Sequence, residues 1–240
     1  MKLVIDIGNS KVKAGVFDKK QLIEIFIAPV IAIDFIKEIN YKYKEIHSVI
    51  LSTVKEVSDE VINYLKNNFH LIEFDSETKI PIKNYYKTPG TLGKDRLAGV
   101  IAANSIYPGE NVLVIDAGTC VTFDLINSRG EYYGGSISPG LTMRFNALHT
   151  FTDKLPLIHL TNFNELTGTD TKESILAGVI NGILAEAEGI IKKYSSVYCP
   201  LKIIICGGDA QFFAVRLNYS IFAVAELVLI GLNEILDYND

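Results

Sequence analysis

The chain has little cysteine, no excess of positive charge, no long apolar run and no low-complexity tract. Each shortage excludes something. The three cysteines, Cys120, Cys199 and Cys206, include no C-x-x-C pair. They make neither a disulfide framework nor a zinc cage, and they suit a reducing cytoplasm. The formal net charge is −5, and basic residues cluster only briefly, at positions 42–44 and 192–193. That excludes a basic stripe for nucleic acid. The N-terminal apolar run stops at Asp6, too early for a signal-peptide core. The apolar stretch at 221–232 is broken by Glu226 and too short to cross a bilayer, so no membrane partner is expected. No phosphate loop of the Walker type is present: the segment from Gly90 to Asp95 has the wrong spacing and ends in Asp, not Ser or Thr.

What is there is a repeat. The opening MKLVIDIGNS returns about 110 residues later as VLVIDAGTC, with Asp6 over Asp116 and Gly8 over Gly118. The 240 residues, 48% of them hydrophobic, suffice for one large or two small domains. Residues 3–6, 12–17 and 22–27 read as a three-strand meander, followed by a helix at 31–39, a strand at 48–52, a helix at 56–67 and a strand at 71–74. A Pro- and Gly-punctuated loop spans 75–93, and a helix follows at 97–106, with Asp95 as its N-cap or first-turn acid. The second half repeats the meander at 112–116, 121–126 and 132–138. Helices are expected from 140 to 150, 171 to 194 and 223 to 236, with a strand at 202–206. This order predicts an α/β protein of two duplicated halves, 1–108 and 109–240, each with a mixed sheet and with a cleft between them.

A carboxylate ends a buried strand in each repeat. A glycine then lets the backbone turn tightly and approach a bulky group, and donor-bearing residues follow. A carboxylate beside a phosphate calls for a bridging cation. One such hairpin is an ordinary polar turn; two, one per half, suggest a pincer on a polyphosphate. The segment around Asp95 and Arg96 adds an acid to orient an acceptor hydroxyl and a forked cation for an acidic substrate.

The ordered motifs DIGNS (6–10), PGTLGKDR (89–96), DAGTCVTFD (116–124), GGSISPG (134–140) and ALHTFTDKLP (147–156) resemble those of the type III pantothenate kinases. Gly207-Gly208-Asp209-Ala210 resembles the adenosine motif of the wider sugar kinase, heat-shock protein 70 and actin superfamily, and Gly168-Thr169-Asp170-Thr171 matches a further family segment. Ser10 stands where Thr is usual, and Cys120 where a smaller residue is common. The resemblance implies two ribonuclease H-like domains in an actin-like ATPase fold. It implies ATP-dependent phosphorylation of pantothenate, the first step of coenzyme A synthesis, by a cytoplasmic homodimer. By motif match, Asp95 is the catalytic base or orienting acid. Asp6, Ile7, Gly8, Asn9, Ser10, Lys11, Val12, Lys13 and Thr119 bind ATP. Tyr86, Gly93, Lys94, Asp95, Arg96 and Thr171 bind pantothenate. Asp116 takes a monovalent cation, K+ or NH4+, and Asp6 lies near the Mg2+ of ATP, with water between them or not. The alternative is a non-catalytic ATP-binding accessory protein of the same fold.

Overall fold

The computed structural model describes residues 1–8 and 11–240. Its contacts divide the chain into two compact units, one of residues 1–108 with 226–240, the other of residues 109–225.

The first unit is built on a five-stranded sheet. Strands β1 (Lys2–Ile7), β2 (Val12–Asp18) and β3 (Gln21–Ala28) form the expected antiparallel meander. Strands β4 (Ser48–Thr53) and β5 (His70–Glu73) continue it in parallel, giving the order β3-β2-β1-β4-β5. Helices α1 (Ile33–Lys42) and α2 (Asp59–Asn68) cover one face. Helix α2 starts later than its apolar spacing suggests, because Ser58 is the extended N-cap and Asp59 and Glu60 occupy the dipole-favoured first turn. The two-residue strand β6 (Lys83–Asn84) and a 3-10 turn (Pro89–Thr91) punctuate the long loop, which leads into α3 (Lys94–Ile106).

The second unit repeats the plan. Strands β7 (Asn111–Ala117), β8 (Cys120–Ile126) and β9 (Glu131–Pro139) are antiparallel neighbours, and β10 (Leu201–Cys206) and β11 (Ile221–Ala223) extend the sheet in parallel from β7. Helices α4 (Leu141–Thr150), α5 (Thr171–Val197) and α6 (Ala210–Ala214) share its core. Asp170 caps α5 by accepting the Glu173 backbone N–H at 2.8 Å, and the Glu173 carboxylate accepts the Thr169 N–H and hydroxyl in return. Helix α5 is long and apolar enough to cross a membrane, yet Ile175, Val179, Ile183 and Ile191 are buried along one stripe in the unit's own core.

The last helix, α7 (Leu227–Asn239), begins four residues after the expected start, and residue 223 belongs to β11. It follows the second unit in sequence but packs in the first, against α3 and β1, so the boundary at 108/109 holds while residues 226–240 leave the half in which chain order placed them. A Cβ on Gly231 would lie 1.9 Å from the Ala98 carbonyl oxygen, so the two helices cross where only hydrogen fits. Lys2 pairs with Asp237, and Lys20 with Glu234 at 3.0 Å. Leu229 meets β2 at Gly15, so α7 covers the sheet face opposite α1 and α2.

Candidate active site

Strand alternation sets the first half of the site. Leu3, Ile5 and Ile7 point into the core under α1 and α2, so Asp6 points to the other face. Register places Asp6 opposite Lys13 on β2 and opposite Ser52 on β4. The Gly8 N–H closes the hairpin on the Lys11 carbonyl at 3.1 Å. The Asp6 carboxyl is pushed up to about 6, first by burial and then by the neighbouring Asp95 carboxylate. The Ser52 hydroxyl and Lys13 ammonium act in the opposite direction. Lys13 is itself held by Glu226 at 2.9 Å. Ile7 and Val12 bury their side chains, so only their backbones are available to a ligand. Asn9 and Ser10 lie outside the described residues.

Asp95 occupies the first turn of α3; its N-cap is Gly93. Its carboxylate is exposed and accepts the Arg96 backbone N–H at 2.8 Å. Lys94 donates to the Thr53 carbonyl at 3.3 Å, tying the start of α3 to the end of β4. Arg96 is buried, with its guanidinium 5.9 Å from the centre of the Tyr86 ring. The first unit therefore gathers Asp6, Lys13, Lys94, Asp95, Arg96 and Tyr86 around the ends of β1 and α3.

A buried carboxylate whose proton affinity is raised by a second carboxylate beside it fits a cation. Among the described residues no three His, Cys, Asp or Glu side chains form a metal cage. A magnesium ion carried by a nucleotide needs none, because phosphates and water supply most of its ligands.

In the second unit, Leu113, Ile115 and Ala117 face the α5 core, so Asp116 points the other way, with Thr122 and Cys206 as its register partners. The Gly118 N–H closes this hairpin on the Cys120 carbonyl at 2.9 Å. Two backbones press on the turn. The Gly140 N–H donates to the Thr119 carbonyl at 3.0 Å, and a Cβ on Gly140 would fall 2.1 Å from the Gly118 oxygen. Gly207 has φ +90°, and its Cβ would fall 2.3 Å from the Ala117 oxygen. Thr119 is exposed and lines a cavity of about 340 Å³ with Thr142, Met143, Asn146 and Asp209. Thr171 lies elsewhere in the unit, on a larger groove of about 1020 Å³ along α4 and α5. Ser52, Glu226, Thr142 and Asn146 are not marked as site residues by the sequence. Strand register to Asp6 could have signalled Ser52; the others come from distant segments with no motif of their own.

The sequence matches the type III pantothenate kinase family over residues 2–193. A type III pantothenate kinase from Christiangramia forsetii is 46% identical over 241 residues, spanning 100% of this chain and 99% of its own. Among solved structures, a Campylobacter jejuni protein described as a Baf family transcriptional activator superposes with a TM-score of 0.62 at 24% identity, covering 99% of this chain and 98% of that one. The Clostridium difficile activator of 2-hydroxyisocaproyl-CoA dehydratase, with bound ADPNP, gives 0.56 at 14% identity, covering 98% and 93%. These two likenesses speak for the fold, which is that of the actin-like ATPases and sugar kinases. The duplicated hairpins, the acid at the head of α3 and the relationship along the full chain converge: this protein belongs to the type III pantothenate kinases.

Proposed function

We infer that the protein transfers the γ-phosphoryl group of ATP to the primary hydroxyl of pantothenate, forming 4′-phosphopantothenate for coenzyme A synthesis. The observation that carries this reading is the exposed Asp95 carboxylate, close enough to Asp6 of the first hairpin to perturb it. An acceptor-orienting acid beside a phosphate-binding turn is what phosphoryl transfer needs. Asp95 takes or orients the proton of the attacking hydroxyl. Arg96, stacked on Tyr86, binds the pantothenate carboxylate, and Gly93 and Lys94 shape the same pocket. The hairpin of residues 6–13 and Thr119 bind the ATP phosphates. Asp6 holds the Mg2+ of ATP, directly or through water; that ion would supply charge neutralisation on the phosphates. Asp116 holds a monovalent cation, K+ or NH4+.

The enzyme works as a cytoplasmic homodimer in this reading. Support comes from the α4–α5 groove, whose wall includes Leu148, Ile175 and Val179, with Phe151 85% exposed at its side. Such an apolar patch suits a second subunit, and Thr171 on its wall would then serve a shared pantothenate pocket.

The test is ADP release with ATP, Mg2+ and pantothenate, in K+ and then in Na+. Turnover that requires pantothenate and rises with K+ supports the assignment. ATP binding without pantothenate-dependent turnover overturns it in favour of an accessory protein.

A further inference from the structure

The bend that presses on the Gly118-Thr119 turn is itself held from outside. It consists of Ser138, Pro139 and Gly140, where β9 ends and α4 begins. Register lays Ser138 beside Val121 and Pro139 beside Cys120, so the bend runs alongside the strand that leaves the turn. Pro139 has no N–H to give to that ladder. Gly140 is the N-cap of α4 and brings no side chain to cap it. One side chain makes up the deficit. Arg144, one turn into α4, donates from Nε to the Pro139 carbonyl at 2.8 Å and from Nη2 to the Ser138 hydroxyl at 2.9 Å. Its backbone N–H donates to the Gly140 carbonyl at 3.0 Å. Three successive residues of the bend are thus tied to one arginine. The same guanidinium pairs with Glu186 of α5, and the two side chains are only 21% and 29% exposed. Glu186 stands next to Ala187 and three residues from Ile183, both buried in the core of the unit, so the ion pair is anchored on a fixed post.

We infer that Arg144 is a positioning residue for phosphoryl transfer: anchored on Glu186, it holds the bend of residues 138–140 against the Gly118-Thr119 turn and so fixes that turn for the nucleotide phosphates. This rests on the reading of Thr119 as a phosphate-binding residue. Thr119 is exposed, so its place depends on what its backbone meets. It meets Gly140, whose N–H donates to the Thr119 carbonyl at 3.0 Å and whose missing Cβ leaves the Gly118 oxygen no room to spare. A contact that close transmits any shift of the bend to the turn. Donors aimed at a phosphate before it arrives cost no reorganisation during the reaction, which is the value of holding the turn still. The planar fork of arginine suits the task, since it directs separate N–H groups at two acceptors while its charge meets a carboxylate. Arg144 also lines the α4–α5 groove, but its charge is already matched by Glu186.

The experiment is calorimetric titration of the full-length protein with Mg-ATP and with AMP, which lacks the outer phosphates, beside steady-state kinetics for both substrates. Arg144→Ala should weaken Mg-ATP by roughly tenfold, the effect of losing one hydrogen bond to a charged group, and leave AMP nearly unchanged. A purely structural role would move both nucleotides together. Arg144→Lys keeps a charge for Glu186 without the fork, so it should stay folded and still lose most of the preference for ATP over AMP. Glu186→Gln should fall between Arg144→Ala and the wild type. A wild-type preference that survives in both Arg144 variants overturns the assignment, as does a rise in the KM for pantothenate with ATP affinity untouched, which would give Arg144 to the groove. Should Arg144→Ala fail to fold, Arg144→Lys decides alone. Wild-type protein that binds ATP no more tightly than AMP defeats the phosphate reading of Thr119 itself, a different result from a preference indifferent to Arg144.

Discussion

The two hairpins share a backbone plan and differ in what surrounds their aspartates. Asp6 is loaded electrostatically: burial and Asp95 push its carboxyl towards the protonated form, and Ser52 and Lys13 resist. The turn after Asp116 is clamped sterically, by Gly140 on one side and Gly207 on the other. The first hairpin offers little steric resistance among the described residues, where a Cβ on Gly8 would meet the Lys11 carbonyl at an ordinary 3.7 Å. A duplicated design has thus been specialised, one copy for charge next to Asp95, the other for a fixed backbone beside the cavity at Thr119.

The largest effect should come from the charged side. Asp95→Asn should lower kcat by roughly 10²–10⁴-fold, the range for losing a positioned acid–base group, while ATP affinity measured by titration stays near wild type. An unchanged kcat would take Asp95 out of the chemistry and leave the first hairpin without its partner.

The clamp should respond to a single methyl group. Gly140→Ala forces a Cβ into the Gly118 oxygen, so the turn must move; thermal unfolding should fall by several degrees and ATP affinity should drop. Gly8→Ala, by contrast, should change stability by less than about 1 kcal/mol. Equal losses at the two glycines would erase the distinction between the hairpins.

Asp6 carries a pH signature. Its folded pKa, about 6, lies above the ordinary aspartate value of 3.8, so the folded state holds the proton more tightly. Below about 4 both states are protonated and the group costs nothing. As pH rises from about 4 to 6, stability is lost, and above 6 the full penalty, about 2–3 kcal/mol, applies. Asp6→Asn should therefore raise the unfolding temperature of the nucleotide-free, metal-free protein at pH 8 and leave it nearly unchanged at pH 4, while impairing turnover. Stabilisation of the same size at both pH values would show that Asp6 titrates normally.

The smallest effect belongs to the ion pair that restrains Lys13. Both partners are about a quarter exposed, so Glu226→Gln should cost only about 0.5–1 kcal/mol, falling with added salt. Lys13→Met should raise the KM for ATP more than it changes stability.

Much of this was legible beforehand because it is local. Strands β1, β2, β7 and β8 are dense apolar runs that end in Asp-x-Gly, and period-two alternation suffices to send each aspartate away from the helix-covered core. The cap of α5 is written in Thr169, Asp170 and Glu173. The short elements were not legible: α6 and β11 have too few residues for a period to show, and residue 223 looked helical because an apolar run continues through it. Within the site, motif order marked Asp95 and Arg96, but not that Arg96 would be buried or that Asp209 would leave its own helix uncapped.

The sequence by itself determined the duplicated strand–turn plan and the family, since each depends on residues near one another in the chain. Only the tertiary structure decided that α7 returns to the first unit, that Ser52 and Glu226 attend the first hairpin, and that α4 and Asp209 close a cavity beside Thr119. Those facts depend on register and on close backbone approach between segments tens to hundreds of residues apart. A missing Cβ, as at Gly231 or Gly140, permits such an approach, but its meaning appears only when the opposing carbonyl is in place.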